Sequence, residues 1–158
     1  MDDSYLLWRT LGLGSISGMR SMAAPATLSR AVERGDVDGL ENTPFAAFGS
    51  PRVSTVLRMF EIGEMFVDKL PVMVPNRTSL PPLLGRAATG AIAGAALFAS
   101  GGRRSATGGV LGGASAVVAA YATERLRRQV AQRLGVPDPV VALLEDGLVL
   151  FGGARLLR

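Results

Sequence analysis

The sequence has no cysteine and no histidine. Disulfides, thiol catalysis, Cys/His zinc sites and any Ser–His or Cys–His nucleophile pair are therefore excluded. Charge is scarce too: 19% of the residues are Asp, Glu, Lys or Arg, where a soluble domain carries roughly 25%. Aromatic residues make up 6%, which leaves few large side chains for a soluble core of this size. Lysine is nearly missing, with Lys69 its sole representative beside a full set of arginines. The opening Met1-Asp2-Asp3-Ser4 is acidic and lacks the positive start of a secretory signal peptide. The first apolar segment is therefore expected to stay in the mature protein.

What is present is apolar and small. The chain is 158 residues, 48% hydrophobic, with a mean hydropathy of +0.31. Its length fits one domain, and its hydrophobicity excludes a disordered chain. Twenty glycines and many alanines are what closely packed membrane helices use in place of bulky side chains. The formal net charge is +4, but the arginines sit at the edges of apolar segments. The run Arg125, Arg127, Arg128 and Arg133 directly follows the longest uncharged stretch. That is the pattern of a juxtamembrane anchor rather than of a nucleic-acid surface, so no nucleic-acid partner is expected.

Five apolar segments are predicted as helices, at 5–29, 51–70, 83–100, 105–123 and 138–157, with a polar loop at 30–50. Pro25 bends or ends the first, and Pro51 opens the second. Residues 105–123 carry no charge and reach roughly 28 Å as a helix, close to the thickness of a bilayer's hydrocarbon core. The expected fold is an all-α integral membrane bundle of five transmembrane helices, with four as the fallback, in one domain over 1–158. The competing reading is a buried two-helix hairpin with three helices lying on the surface.

Glycines recur four residues apart: Gly14 and Gly18, Gly90 and Gly94, Gly108 and Gly112, Gly109 and Gly113. Each pair bares two backbone patches on one helix face and lets a neighbour approach closely. Gly12, Gly14 and Gly18 lack the strand a dinucleotide fingerprint needs, and the stretch at Gly101 lacks the Gly-Lys-Ser/Thr of a phosphate loop. No cofactor and no metal is expected.

The charges inside apolar segments point to a site. On a helix Glu61, Glu64 and Asp68 fall within an arc of about 60°. Such a stripe has to face protein or water, because each acid costs on the order of 3 kcal/mol in lipid. Glu145 and Asp146 add a second acid pair, and Lys69 stands beside Asp68. Arg20 and Arg86 are the expected counter-charges, with Arg77 reaching in from the proline-rich connector. Segments one and four, and two and five, are alike in composition and order, as in an inverted repeat. Positive residues divide nearly evenly between the two sides, and the Arg125 cluster is read as the cytoplasmic one.

These motifs, in order, resemble a family of small multi-span bacterial membrane proteins, domain-of-unknown-function family 4126. The resemblance is carried by Ser17-Gly18-Met19-Arg20-Ser21 with Pro25, Ser50-Pro51-Arg52, Gly63-Glu64, and Asp68-Lys69-Leu70-Pro71. It continues through Arg77-Thr78, Pro81-Pro82, Gly85-Arg86, Gly90 and Gly94 to Pro137-Asp138 and Ala142-Leu143-Leu144-Glu145-Asp146. Phe60-Glu61 and Gly147 depart from the pattern, so Glu61 ranks below Glu64 as a site member. The resemblance implies a multi-pass protein of the bacterial inner membrane and supplies no activity.

The function expected from the residues is a small transporter or permeation protein. Glu64, Asp68, Glu145 and Asp146 would line its polar path, with Arg20 and Arg86 balancing them. A proton or small cation is the favoured solute, and an anionic headgroup on the arginines is a further option. The alternative is a structural or assembly protein whose ion pairs only fix the helices. No enzymatic activity is expected. The bilayer is the expected partner, with a homodimer left open.

Overall fold

The computed structural model describes residues 3–67, 78–134 and 138–158. They form six α-helices: α1 Asp3–Met19, α2 Ala23–Glu33, α3 Pro51–Val67, α4 Leu80–Ser100, α5 Ser105–Leu134 and α6 Asp138–Leu156. A short 3₁₀ turn, Ala46–Gly49, precedes α3. No strand occurs among the described residues.

The first expected segment is two helices, not one. The break falls at residues 20–22, ahead of Pro25. A proline in the interior of a helix removes a hydrogen bond and clashes with the preceding turn. As the third residue of α2 it costs little, because that turn's N–H groups have no partner within the helix anyway. Pro25 therefore starts a helix rather than ending one. The chain reverses at the break, and α2 returns beside α1. Ile16 and Thr27 both come up against Gly153 of α6, and Arg34 and Leu157 line one small pocket.

The helices alternate in direction from here on. α3 runs against α2, since Arg30 meets Glu61 and Ser21 meets Glu64. α4 runs against α1, with Arg86 at Gly18 near its start. α6 runs from Asp146, beside Arg20, to Leu156, beside Arg9. The bundle has two ends. One, the hinge end, gathers the 20–22 break and the starts of α4 and α6. At the other, Tyr5 Oη donates to the Arg158 carbonyl oxygen at 3.0 Å, and Arg9 Nε donates to the Leu156 carbonyl oxygen at 3.0 Å.

The extra reversal corrects the inverted-repeat expectation. Gly14 abuts Gly112 and Ser115, and Gly18 abuts Ala116 and Ala119. α1 and α5 therefore run in the same sense, whereas inverted halves would set them opposed.

Other boundaries move for simple reasons. α2 carries helix to Glu33, so the 30–50 loop is shorter than expected and contains the 3₁₀ turn. α4 begins at Leu80, with prolines in its first turn where they fit. α5 does not stop at residue 123 but continues through the arginine run to Leu134. Arginine is a good helix former, so the change of polarity alone gives the helix no reason to end.

α1, α4 and α5 form the tightest part of the bundle, and glycine faces make this possible. A Cβ on Gly90 would lie 2.7 Å from the Gly112 carbonyl oxygen and 2.9 Å from Ala116 Cβ. Gly94 and Gly108 face each other at even shorter range. Gly109 and Gly113 sit at the edge of this contact, with room near an ordinary side-chain distance. The core around the seam is Leu13, Leu28, Leu97 and small alanines such as Ala93 and Ala96.

Two helical stretches are long and apolar enough to cross a membrane: Leu80–Ser100, with mean hydropathy 1.3, and Ser105–Val130, with 1.2. The expected four to five spans are not matched by this criterion. α2 has only 11 residues and α1 has 17, and α3 and α6 each carry several charged groups. Polarity is nonetheless distributed inside out. Arg9, Arg20, Glu61, Arg86, Arg127 and Asp146 are buried, while Trp8, Phe66, Leu144 and Phe151 are more than two-thirds exposed.

Candidate functional site

The hinge end collects most of the buried charge, and the break at 20–22 explains why. A helix that ends leaves its last carbonyls unpaired, and one that starts leaves its first N–H groups unpaired. Here both ends occur within three residues inside the bundle, and side chains from other helices meet them.

Arg86 of α4 serves the end of α1. Its Nη1 donates to the Gly18 carbonyl oxygen at 2.9 Å. A cation at a helix C-terminus is also favoured by the helix dipole. Nearby Ser17 Oγ donates to the Arg86 carbonyl oxygen at 3.0 Å and lies 2.7 Å from Thr89 Oγ1. Glu64 of α3 serves the start of α2. Its Oε1 accepts from Ser21 N at 2.9 Å and Ser21 Oγ at 2.7 Å, and its Oε2 accepts from Met22 N at 3.0 Å. A carboxylate at a helix N-terminus satisfies orphan donors and meets the positive end of the dipole.

Arg20 sits in the break itself with 1% of its surface exposed. Its guanidinium pairs with the Asp146 carboxylate of α6, which is 6% exposed. Arg20 Nη1 also lies 3.5 Å from the Glu64 backbone oxygen. One residue away, Glu145 stands 3.9 Å from Arg127 of α5, in a second largely buried pair. Glu61, one turn before Glu64, is 2% exposed and takes Arg30 Nη2 at 3.1 and 3.3 Å. The result is a chain of polar contacts that ties α2 to α3, α1 to α4 and α6, and α5 to α6.

Of the expected site residues, Arg20, Glu64, Arg86, Glu145 and Asp146 lie around the hinge end, with Glu61 one turn removed against α2. Asp68, Lys69 and Arg77 lie outside the described residues. Of the expected packing glycines, Gly14, Gly18, Gly90, Gly94, Gly108 and Gly112 lie at backbone contacts, and Gly109 and Gly113 lie looser. Sequence reasoning missed Arg30, Ser21 and Arg127. The first two follow from the helix start that Pro25 marks. Arg127 was hidden in a run of arginines, where only one of four turns inward against Glu145.

The hydrogen bonds of Glu64 give a direct expectation. Glu64→Ala removes three acceptor contacts at the start of α2 and is expected to lower stability by about 1–2 kcal/mol. Glu64→Gln keeps an acceptor oxygen and loses less. Thermal melting of the two variants in detergent measures the difference, and equal midpoints would contradict the capping role.

The fold and the site together define a class: an all-helical bundle with two helices apolar enough to cross a membrane and with a set of charged side chains buried between its helices. Within that class the chain belongs to the family described as Domain of unknown function (DUF4126), whose model matches residues 7–155. No curated protein and no solved structure matches it.

Proposed function

We propose that this is a multi-pass protein of the bacterial inner membrane and a small transporter or permeation protein, with its polar site at the break between α1 and α2. The observation that carries this reading is the break itself. A helix interrupted beside a buried Arg20–Asp146 pair, with Glu64 on the exposed N–H groups of the second half, gathers charge and open backbone at one point. Interrupted helices supply the binding groups of many secondary transporters. The inside-out distribution of polarity supports the membrane setting, since a lipid solvent favours apolar side chains outside and polar ones within. A proton or small cation fits the carboxylates best. Binding would have to compete with the arginine and N–H partners, which suits a site that exchanges one charge for another.

One observation favours a second reading. Each described carboxylate of the expected site already has a close arginine or backbone partner. Such pairs can fix helix packing and nothing more.

Flux through proteoliposomes separates the two. With a pH-sensitive dye inside and an imposed potential, wild type is expected to pass protons or cations. Glu64→Gln, still folded, is expected to reduce that flux at least tenfold. A well-folded wild type without flux of protons or monovalent cations, or a Glu64→Gln variant with full flux, would sink the transport reading and leave the structural one.

A further inference from the structure

An open cleft of about 390 Å³ lies at the hinge end of α5, lined by Thr78, Tyr121, Glu124, Arg125 and Arg128. It sits where the apolar stretch Ser105–Val130 turns basic. At 100° per residue, Val110, Ala114, Val118, Tyr121, Arg125 and Arg128 share one face of α5, within an arc of about 80°. All six are exposed. Along that stripe the surface changes from aliphatic to a phenol ring to two guanidinium groups. The same order is met along a phospholipid, from acyl chain through the glycerol level to the phosphate.

The charges give the stripe a sign. Glu124 holds one edge of Arg128, with Nε and Nη2 each 2.9 Å from its Oε1. This fixes the guanidinium against the helix and leaves Nη1 outside that contact. Among the described residues Arg125 has no acidic partner. Among the described residues the cleft therefore carries two cations and one anion, a net positive charge. Planar guanidinium groups suit phosphate oxygens, which accept two parallel N–H bonds. A peptide or nucleic acid would use the basic groups but not the aliphatic stripe that leads up to them.

We propose that this cleft binds the headgroup of an anionic phospholipid, with Arg125 and Arg128 on the phosphate, Tyr121 at the glycerol level and the acyl chain along Val118 and Ala114. The inference rests on the membrane reading above but not on transport. It also gives the arginine run a division of labour. Arg127 turns inward to Glu145, while Arg125 and Arg128 turn outward to lipid.

The test uses the full chain in neutral detergent, with phosphatidylglycerol, phosphatidylcholine or inorganic phosphate added. Bound lipid is counted by native mass spectrometry, and the melting midpoint is followed in parallel. Wild type is expected to retain phosphatidylglycerol over phosphatidylcholine, and inorganic phosphate is expected to leave the midpoint unchanged. Arg125→Gln and Arg128→Gln should each lower that preference about fivefold. Arg133→Gln, exposed on another face of the same helix, should leave it in place. Equal retention of the two lipids, an equal loss in Arg133→Gln, or stabilisation by inorganic phosphate alone overturns the proposal. A chain that alkaline carbonate strips from membranes overturns the membrane reading as well. A carbonate-resistant chain without lipid preference overturns this inference only.

Discussion

Gly94→Leu is expected to abolish the native bundle, or to lower its stability by more than about 3 kcal/mol, beyond the usual range for overpacking. The usual range reflects side chains that shift aside. Here a Cβ would meet the Gly108 carbonyl and sit 3.1 Å from Gly112 Cα, so the obstacle is backbone. Relief requires α4 and α5 to separate along their whole contact, and α1 packs into the same seam through Gly14 and Gly18. Gly112→Leu should behave alike, since its Cβ would meet the Gly90 carbonyl. Gly147→Ala is the contrast, because nothing lies within 4 Å of a Cβ there. Its effect should stay within about 1 kcal/mol, the size of the glycine–alanine difference in helix propensity. Size-exclusion profiles and thermal midpoints in detergent report both outcomes. An unchanged Gly94→Leu midpoint would falsify the close approach of α4 and α5.

The second large effect concerns the Arg20–Asp146 pair. Replacing either partner by leucine leaves the other buried charge without this ion pair, and about 3–5 kcal/mol of stability should be lost. Replacing both removes the two buried charges together, and part of that loss should return. A double-mutant cycle on the melting midpoint gives a coupling energy of opposite sign to the single effects. The comparison with Arg103–Asp3 is instructive, because that pair is more than half exposed on both sides. Exposed pairs of this kind are worth about 0–1 kcal/mol. Burial, not the presence of an ion pair, sets the scale. If the Arg20→Leu/Asp146→Leu double variant is no more stable than the single ones, the two side chains are not coupled chiefly through each other.

Much of the architecture was legible in the sequence because its strongest signals are periodic. Glycines at four-residue spacing marked α4 and α5, and the two contacting faces use four of those positions against each other's backbone. Glu61 and Glu64 fell on one predicted face of α3, and both turn toward α2 and the break. Their pairing partners were less legible. A stripe of acids states that it needs a protein-facing side but not which helix supplies the arginine. Arg30 and Arg127 come from turns whose inward face becomes visible only once α2 and α5 are in place. The count of helices was missed at Pro25, where one proline can bend a helix or begin one. Ser21 and Met22 supply no capping side chain of their own. Their partner is Glu64, 43 and 42 residues further along.

Contacts at both ends of the bundle join residues far apart in the order of synthesis. Arg20 and Asp146 are 126 positions apart, and Arg9 and the Leu156 carbonyl are 147 apart. At roughly 5–20 residues per second, Arg20 emerges some 6 to 25 s before its carboxylate. For that interval Arg20 lacks the Asp146 carboxylate, and Arg127 lacks Glu145 until α6 follows. α6 thus brings carboxylates to cations that already stand in the break after α1 and on α5. A ribosome that stalls before α6 leaves an intermediate in which Arg20 and Arg127 have not yet met Asp146 and Glu145.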